Sequence, residues 1–445
     1  MNSELNFEKK NYLDRENSIE YIRKIHGINF DLSNHKIPKK FHEDFEKLAQ
    51  ENRIFEKFQG IYDGEKANRT ENKSVTHFEY RKKDPHKKFK DEADLMLQKA
   101  DQISKKSFDK IIFFGIGGSQ LGPLLLGEAL ISNFHEKVVM ITGSDPEEFS
   151  EKTSNLNLEK CIFLVASKSF STVETINSFE AVTNKNFLKS TYAITSNVDG
   201  ALDYGILQEN IIPFDRSTGG RFSCWSPISI LLAILEGEKK YKSFLEGGMK
   251  ADHDLLENKT LSPSFMLSCQ DIYNNNILQN QTTLILNYDW KLRSFSKYAQ
   301  QLEMESNGKS IDQNNQAINI DTCPIIWGGY GPESQHSFYQ MVYQGTKDFN
   351  INIIASLSES LNFYQFKGQS ESLIAGSEKE IEKYKLTNYR TPTLITIEEI
   401  SPLSIGVLMA TWENKAILNS LFWNINAFDQ WGVELGKINT QKYFQ

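Results

Sequence analysis

Residues 110–119 read KIIFFGIGGS, an apolar run of five residues that breaks into a glycine-rich turn. A run this short, bounded by glycine, predicts a buried strand entering a tight turn, not a helix. Similar runs follow at Val138–Thr142, Cys161–Ala166 and Tyr192–Thr195, with helix-length segments of mixed polarity between them. Strands alternating with helices imply βαβ units and a parallel sheet. The alternation stops over Glu236–Lys250, which is charged and contains glycine, and reads as a seam. It resumes at Thr283–Leu286, Pro324–Trp327, Ile351–Ala355 and Leu394–Ile397. The pattern therefore predicts an α/β protein with two successive domains, each a mostly parallel sheet flanked by helices. Residues 1–100 read as helices with polar faces, such as Phe41–Ile54, packing on the second domain. The expected division is 1–100, 101–240 and 241–445.

A chain of 445 residues is too long for one small core, which agrees with two or three domains. At 39% hydrophobic and 24% charged residues, the composition is that of a globular protein. No run is long enough to span a bilayer. The first residues, MNSELNFEKKNYLDRENS, lack the apolar core of a secretory signal, so a cytoplasmic protein is expected. A net charge of −8 argues against nucleic acid as the main partner. The basic stretch Arg81–Lys90 reads as a solvated surface loop. The four cysteines, Cys161, Cys224, Cys269 and Cys323, are far apart, and no CxxC or HExxH spacing occurs. Reduced thiols and no metal site are expected.

Several segments carry chemistry. In Gly115-Ile116-Gly117-Gly118-Ser119 a strand-to-helix turn can aim backbone amides at an anion. GIGGSQLG lacks the GxGxxG spacing of a dinucleotide site and is not a Walker loop; glycines here also serve tight packing. Ser167-Lys168-Ser169-Phe170-Ser171-Thr172 places four hydroxyls at a helix start near Val173. Helix capping needs only one of them, so the excess favours a site for a phosphate monoester. Both turns fall at carboxyl ends of strands, where open α/β sheets bind ligands. Gly219-Gly220-Arg221-Phe222-Ser223 lets a guanidinium reach inward, although a surface ion pair would also fit. QLEMESNGK at 301–309 places Glu305 at the end of an amphipathic segment; Asn-Gly-Lys is also how helices stop. Gln335-His336 is expected to open an amphipathic helix. FDQWGVELGK at 428–437 mixes aromatic, acidic and basic residues without periodicity.

In this order, GIGGS, SKSFSTVET, GGRFS, QLEMESNGK, QHSFYQ and FDQWGVELGK resemble the motifs of the phosphoglucose isomerase family over nearly the whole chain. The resemblance implies two sugar-isomerase-type, flavodoxin-like domains and reversible isomerisation of glucose 6-phosphate and fructose 6-phosphate, a step of glycolysis and gluconeogenesis. It implies no cofactor, and a homodimer with a shared active site. By the same resemblance, Gly118, Ser119, Ser167, Lys168 (through its backbone), Ser169 and Thr172 bind the phosphate. Glu305 moves the proton between carbons 1 and 2, and Arg221 stabilises the cis-enediolate. His336, with Lys437, opens the ring, while Gln301 and Gln430 contact the sugar. The chain departs from the pattern at Ser169 and Ser171, where the family usually has Thr. It departs again at Gly331-Pro332-Glu333-Ser334, where Gly-Thr-Asn/Asp-Gly is common. Asn68–Lys73 follows its counterpart only loosely and is assigned no role. The alternatives are a non-catalytic phosphosugar-binding module and an isomerase of another phosphosugar. The first would need the SKSFST loop but not Glu305, Arg221 and His336 together.

Overall fold

The computed structural model describes residues 7–375 and 390–443. An N-terminal hairpin, β1 (Ile22–Ile25) and β2 (Ile28–Asp31), precedes the first parallel sheet. That sheet contains β3 (Lys110–Phe114), β4 (Val138–Ile141), β5 (Cys161–Ala166), β6 (Thr191–Thr195) and β7 (Ile211–Pro213). Its order is β4-β3-β5-β6-β7, with every pair parallel. All six residues of β5 are buried, as expected of a strand covered on both faces. The order reverses between β3 and β5, the topological switch point where flavodoxin-like sheets bind their ligands.

The second sheet contains β8 (Thr282–Asn287), β9 (Ile325–Tyr330), β10 (Asn350–Ser356) and β11 (Thr393–Ile397), in the order β1-β2-β11-β10-β8-β9. Its last four strands in sequence are parallel, and β2 adds antiparallel to β11. The N-terminal segment is thus not purely helical as expected. Its hairpin turns at His26-Gly27, with φ of 45° and 83°, the mirror-image turn that matches strand twist. Phe41–Ile54 is also not one helix. Lys39–Glu51 stops and Ile54–Tyr62 restarts, with Arg53 left-handed at φ 53° between them.

Two 21-residue helices form the centre of the molecule. Pro402–Phe422 is buried over almost its full length and packs along Glu238–Asn258. Glu236–Lys250, expected as a seam, therefore mostly belongs to a core helix. A Cβ on Gly247 would lie 2.1 Å from the Leu403 carbonyl oxygen, and one on Gly406 would lie 2.1 Å from that of Phe244. Only glycine permits this crossing.

The pair of helices buries charge. Arg81 donates to Asp252 at 2.7 and 2.8 Å and to Glu413 at 2.5 Å, all with fully buried side chains. Lys415 lies 2.8 Å from both Asp271 and Glu303. Arg81 is therefore no part of a solvated loop, and the residues from Lys87 are helical. Removing one member of such a cluster leaves a buried charge unpaired, so the clusters fix how these helices meet.

Candidate active site

The glycine loop after β3 is shaped by two close approaches. A Cβ on Gly118 would lie 2.1 Å from the carbonyl carbon and oxygen of Gly220. Gly117, at φ 57°, lies so that a Cβ would come 3.1 Å from Nε2 of Gln301. The loop thus touches both the Gly219–Arg221 turn and the Phe295–Asn307 helix. Ser119 lies half-buried in the first turn of the Gly118–Leu130 helix.

After β5, Ser167 is buried and Phe170 adopts φ 48°, which folds the loop back over itself. Thr172 is the N-cap of Val173–Thr183, yet its hydroxyl makes no capping bond. Instead it lies 3.1 Å from the Ser167 hydroxyl. The Ser171 hydroxyl donates to that of Ser169 at 2.9 Å. Four hydroxyls therefore cluster at a helix N-terminus without serving as its caps, which favours the anion reading over the capping one. The Lys168 ammonium donates to the Thr218 carbonyl at 3.1 Å, and burial lowers its pKa. This contact joins the hydroxyl loop to the arginine loop.

Arg221 is 4% exposed and every guanidinium nitrogen is engaged. Nε donates to Ser306 at 2.7 Å, Nη1 to Gln430 at 3.0 Å, and Nη2 to the Asp429 carbonyl at 3.0 Å and to the Ala427 carbonyl. Nη1 also lies 3.4 Å from Glu305. Burial lowers the Arg221 pKa, while the charges of Glu305 and Asp429 pull it upward. Glu305 stands in the last turn of its helix, and Gln301, one turn earlier, donates to it at 2.9 Å. The other side of that helix is pinned: Tyr298 donates to Glu413 at 3.3 Å, Trp412 to Glu303 at 2.5 Å, and Asn307 to the Ala416 carbonyl at 3.1 Å. The carboxylate is held by a rigid element against a fixed cation, an arrangement suited to taking and returning a proton beside a developing oxyanion.

The helix does not end as an ordinary stop signal would have it. Gly308 has φ −74°, not a left-handed cap. Lys309 reaches away to the Asn426 and Asp429 carbonyls at 2.9 and 2.8 Å and to the Asp429 carboxylate at 2.7 Å. Its pKa is lowered by burial and raised by the Asp429 contact. The segment left without a role also belongs here. Thr70 donates to Asp429 at 2.7 Å, and Asn426 donates to Asn68 at 3.0 Å. Ser306, Lys309, Asp429, Asn68 and Thr70 were not singled out, because nothing in their local sequence signals partners so distant along the chain.

Gly117, Gly118, Arg221, Gln301, Glu305 and Gln430 thus meet in one place, with the Ser167–Thr172 loop beside them. His336 and Lys437 do not join them by any contact among the described residues. His336 does not open a helix: Gly331–Gln335 ends before it and Tyr339–Gln344 starts after it. It is exposed, and its ring makes no hydrogen bond among the described residues. Lys437 is exposed on the Trp431–Gln441 helix and pairs with Glu434 at 2.9 Å. Gln430 is the N-cap of that helix, so the helix begins at the cluster and Lys437 stands about 10 Å along it.

Two mostly parallel sheets flanked by helices, with a hydroxyl-rich loop at the switch point of the first, define a protein of the sugar-isomerase-type α/β fold. Residues 31–443 match the family model described as Phosphoglucose isomerase, and the chain belongs to that family. The glucose-6-phosphate isomerase of Buchnera aphidicola subsp. Cinara cedri is 35% identical over 444 residues, covering 88% of this chain and 81% of that protein. That of Stutzerimonas stutzeri is 30% identical over 468 residues, covering 92% and 84%. The crystal structure of a glucose-6-phosphate isomerase from Chlamydia trachomatis shares the fold, with a TM-score of 0.89 and 24% identity over 97% of this chain and 93% of that one.

Proposed function

We propose that this chain interconverts glucose 6-phosphate and fructose 6-phosphate by ring opening and proton transfer through a cis-enediol. The observation that carries this is the buried Arg221 facing Glu305 at 3.4 Å beside a hydroxyl loop at a strand switch point. Glu305 carries the proton between carbons 1 and 2. Arg221 stabilises the enediolate oxygen as charge develops there. Ser119, Ser167, Ser169, Thr172 and the backbone of Gly118 and Lys168 hold the phosphate, and that remote binding orients the reacting carbons. Gln301 and Gln430, each bonded to one member of the Glu305–Arg221 pair, contact the sugar. His336, with Lys437, opens the ring.

A homodimer with a shared site belongs to the same reading. Its support is a stripe at i, i+4 and i+7 on the last helix: Trp431, Leu435 and Ile438 are 58%, 62% and 56% exposed. An uncovered apolar stripe of this kind suits a subunit interface. We also assign the protein to the cytoplasm, on its four free thiols. Among the described residues no helix is long and apolar enough to cross a membrane.

The test is a coupled assay with fructose 6-phosphate as substrate and a chelator present. Among the described residues no group of His, Cys, Asp and Glu is arranged to hold a metal ion, so full turnover is expected. Loss of turnover that one added divalent ion restores would move the protein to a metal-dependent isomerase class.

Thr172→Val tests the phosphate loop. It replaces a hydroxyl by a methyl where the anion binds, and a charge-assisted hydrogen bond of about 1.5–3 kcal/mol predicts about a tenfold to hundredfold weaker affinity for sugar phosphate. Inorganic phosphate should compete with substrate in the unaltered enzyme. A variant with the same preference for phosphorylated over unphosphorylated sugar would place the phosphate elsewhere.

A further inference from the structure

His336 lies between two anchored neighbours, and both anchors lead to one buried hydroxyl. Tyr288, just past the carboxyl end of β8, is 1% exposed. Its hydroxyl donates to Oε1 of Gln369, on the Leu361–Ala375 helix. Nε2 of Gln369 donates to Oε1 of Gln335 at 2.5 Å. Gln335 directly precedes His336. On the other side, the Tyr339 hydroxyl bonds that of Tyr288. With the Tyr288 proton committed to Gln369, Tyr339 is the donor in that bond, so the donors run in one direction from Tyr339 to Gln335. The Tyr288 ring also backs the start of the loop, since a Cβ on Gly331 would lie 2.6 Å from it. Asn362, on the same helix as Gln369, donates to the Tyr330 hydroxyl at 2.6 Å. The histidine is exposed; its backbone N–H donates to the Glu333 carbonyl at 3.1 Å, but its ring has no hydrogen-bond partner among the described residues, so the aim of the ring depends on how the flanking segment is held.

We propose that Tyr288, through Gln369 and Tyr339, is the positioning residue that aims His336 for ring opening. It does not touch the substrate. Its hydroxyl holds both ends of the Gln335–Tyr339 segment, which lets this chain fix the histidine behind a Gly-Pro-Glu-Ser loop. The inference rests on the assignment of His336 made above.

The test is a double-mutant cycle on Tyr288→Phe and His336→Ala, reading kcat, KM and the thermal midpoint. Phenylalanine keeps the ring under Gly331 and removes only the hydroxyl. Tyr288→Phe alone should lower kcat about tenfold, the scale of a small misplacement, with KM nearly unchanged. In the His336→Ala background the same change should alter kcat by less than about twofold, because the group it positions is gone. A merely structural role would lower kcat by the same factor in both backgrounds, and that result overturns the proposal. So does a Tyr288→Phe enzyme with wild-type kcat. A His336→Ala enzyme with wild-type kcat would instead remove the ring-opening assignment, and this inference with it. If Tyr288→Phe does not fold, Gln369→Leu, on the less buried side of the chain of bonds, carries the same cycle with the same outcomes.

Discussion

Glu305→Gln should give a folded protein that binds sugar phosphate and turns it over about a hundredfold to ten-thousandfold more slowly. The amide keeps the shape of the side chain and can still accept from Gln301 or Arg221, but it cannot take a proton from carbon. Folding should be spared because the helix is held from its opposite side by Tyr298, Glu303 and Asn307. Unchanged thermal unfolding with lost kcat is the expected pair of results. Retention of more than about a tenth of wild-type kcat would mean that another group carries the proton.

Recovered activity on mixing two strongly impaired variants is the second large effect expected. Glu305→Gln and His336→Ala are unfolded together and refolded. If the histidine crosses the dimer, each mixed dimer holds one site with both defects and one with none. Random pairing makes about half the dimers mixed, so about a quarter of all sites recover. The exposed position of His336, apart from the Arg221–Glu305 cluster of its own chain, is what this arrangement would require. If the histidine serves its own chain, every site keeps one defect. A mixture no more active than the mean of its parents would sink the shared site.

Both parallel sheets could be read from the sequence because parallel strands are buried on two faces and so become continuous apolar runs. β7 escaped because Ile211–Pro213 is only three residues long. The hairpin escaped because its turn is His-Gly, not the Asn-Gly or Asp-Gly that marks such turns most strongly. The break in Phe41–Ile54 rests on a left-handed arginine, a conformation that glycine and asparagine signal in a sequence and arginine does not. Around His336 the apolar spacing looked helical, but Pro332 starts a separate short helix, Gly331–Gln335, which stops before His336, and the next begins only at Tyr339. At the site, the motifs named Arg221, Gln301, Glu305 and Gln430, which the structure brings into contact with one another. They contain Lys309 and Asp429 without showing that these two bond each other or that Thr70, from near the start of the chain, joins them.

The pairing of β2 with β11 sets a schedule for the nascent chain. Phe30 lies opposite Ile395, so the hairpin leaves the ribosome long before the strand it completes. At about 5–20 residues per second, it waits for roughly twenty seconds to over a minute. The first sheet, whose strands all lie within Lys110–Pro213, can form during that wait. The second cannot, because β11 must arrive before β2 has an edge to join. Distant pairings of this kind slow folding, so refolding in vitro should show the second sheet gaining protection from hydrogen exchange after the first.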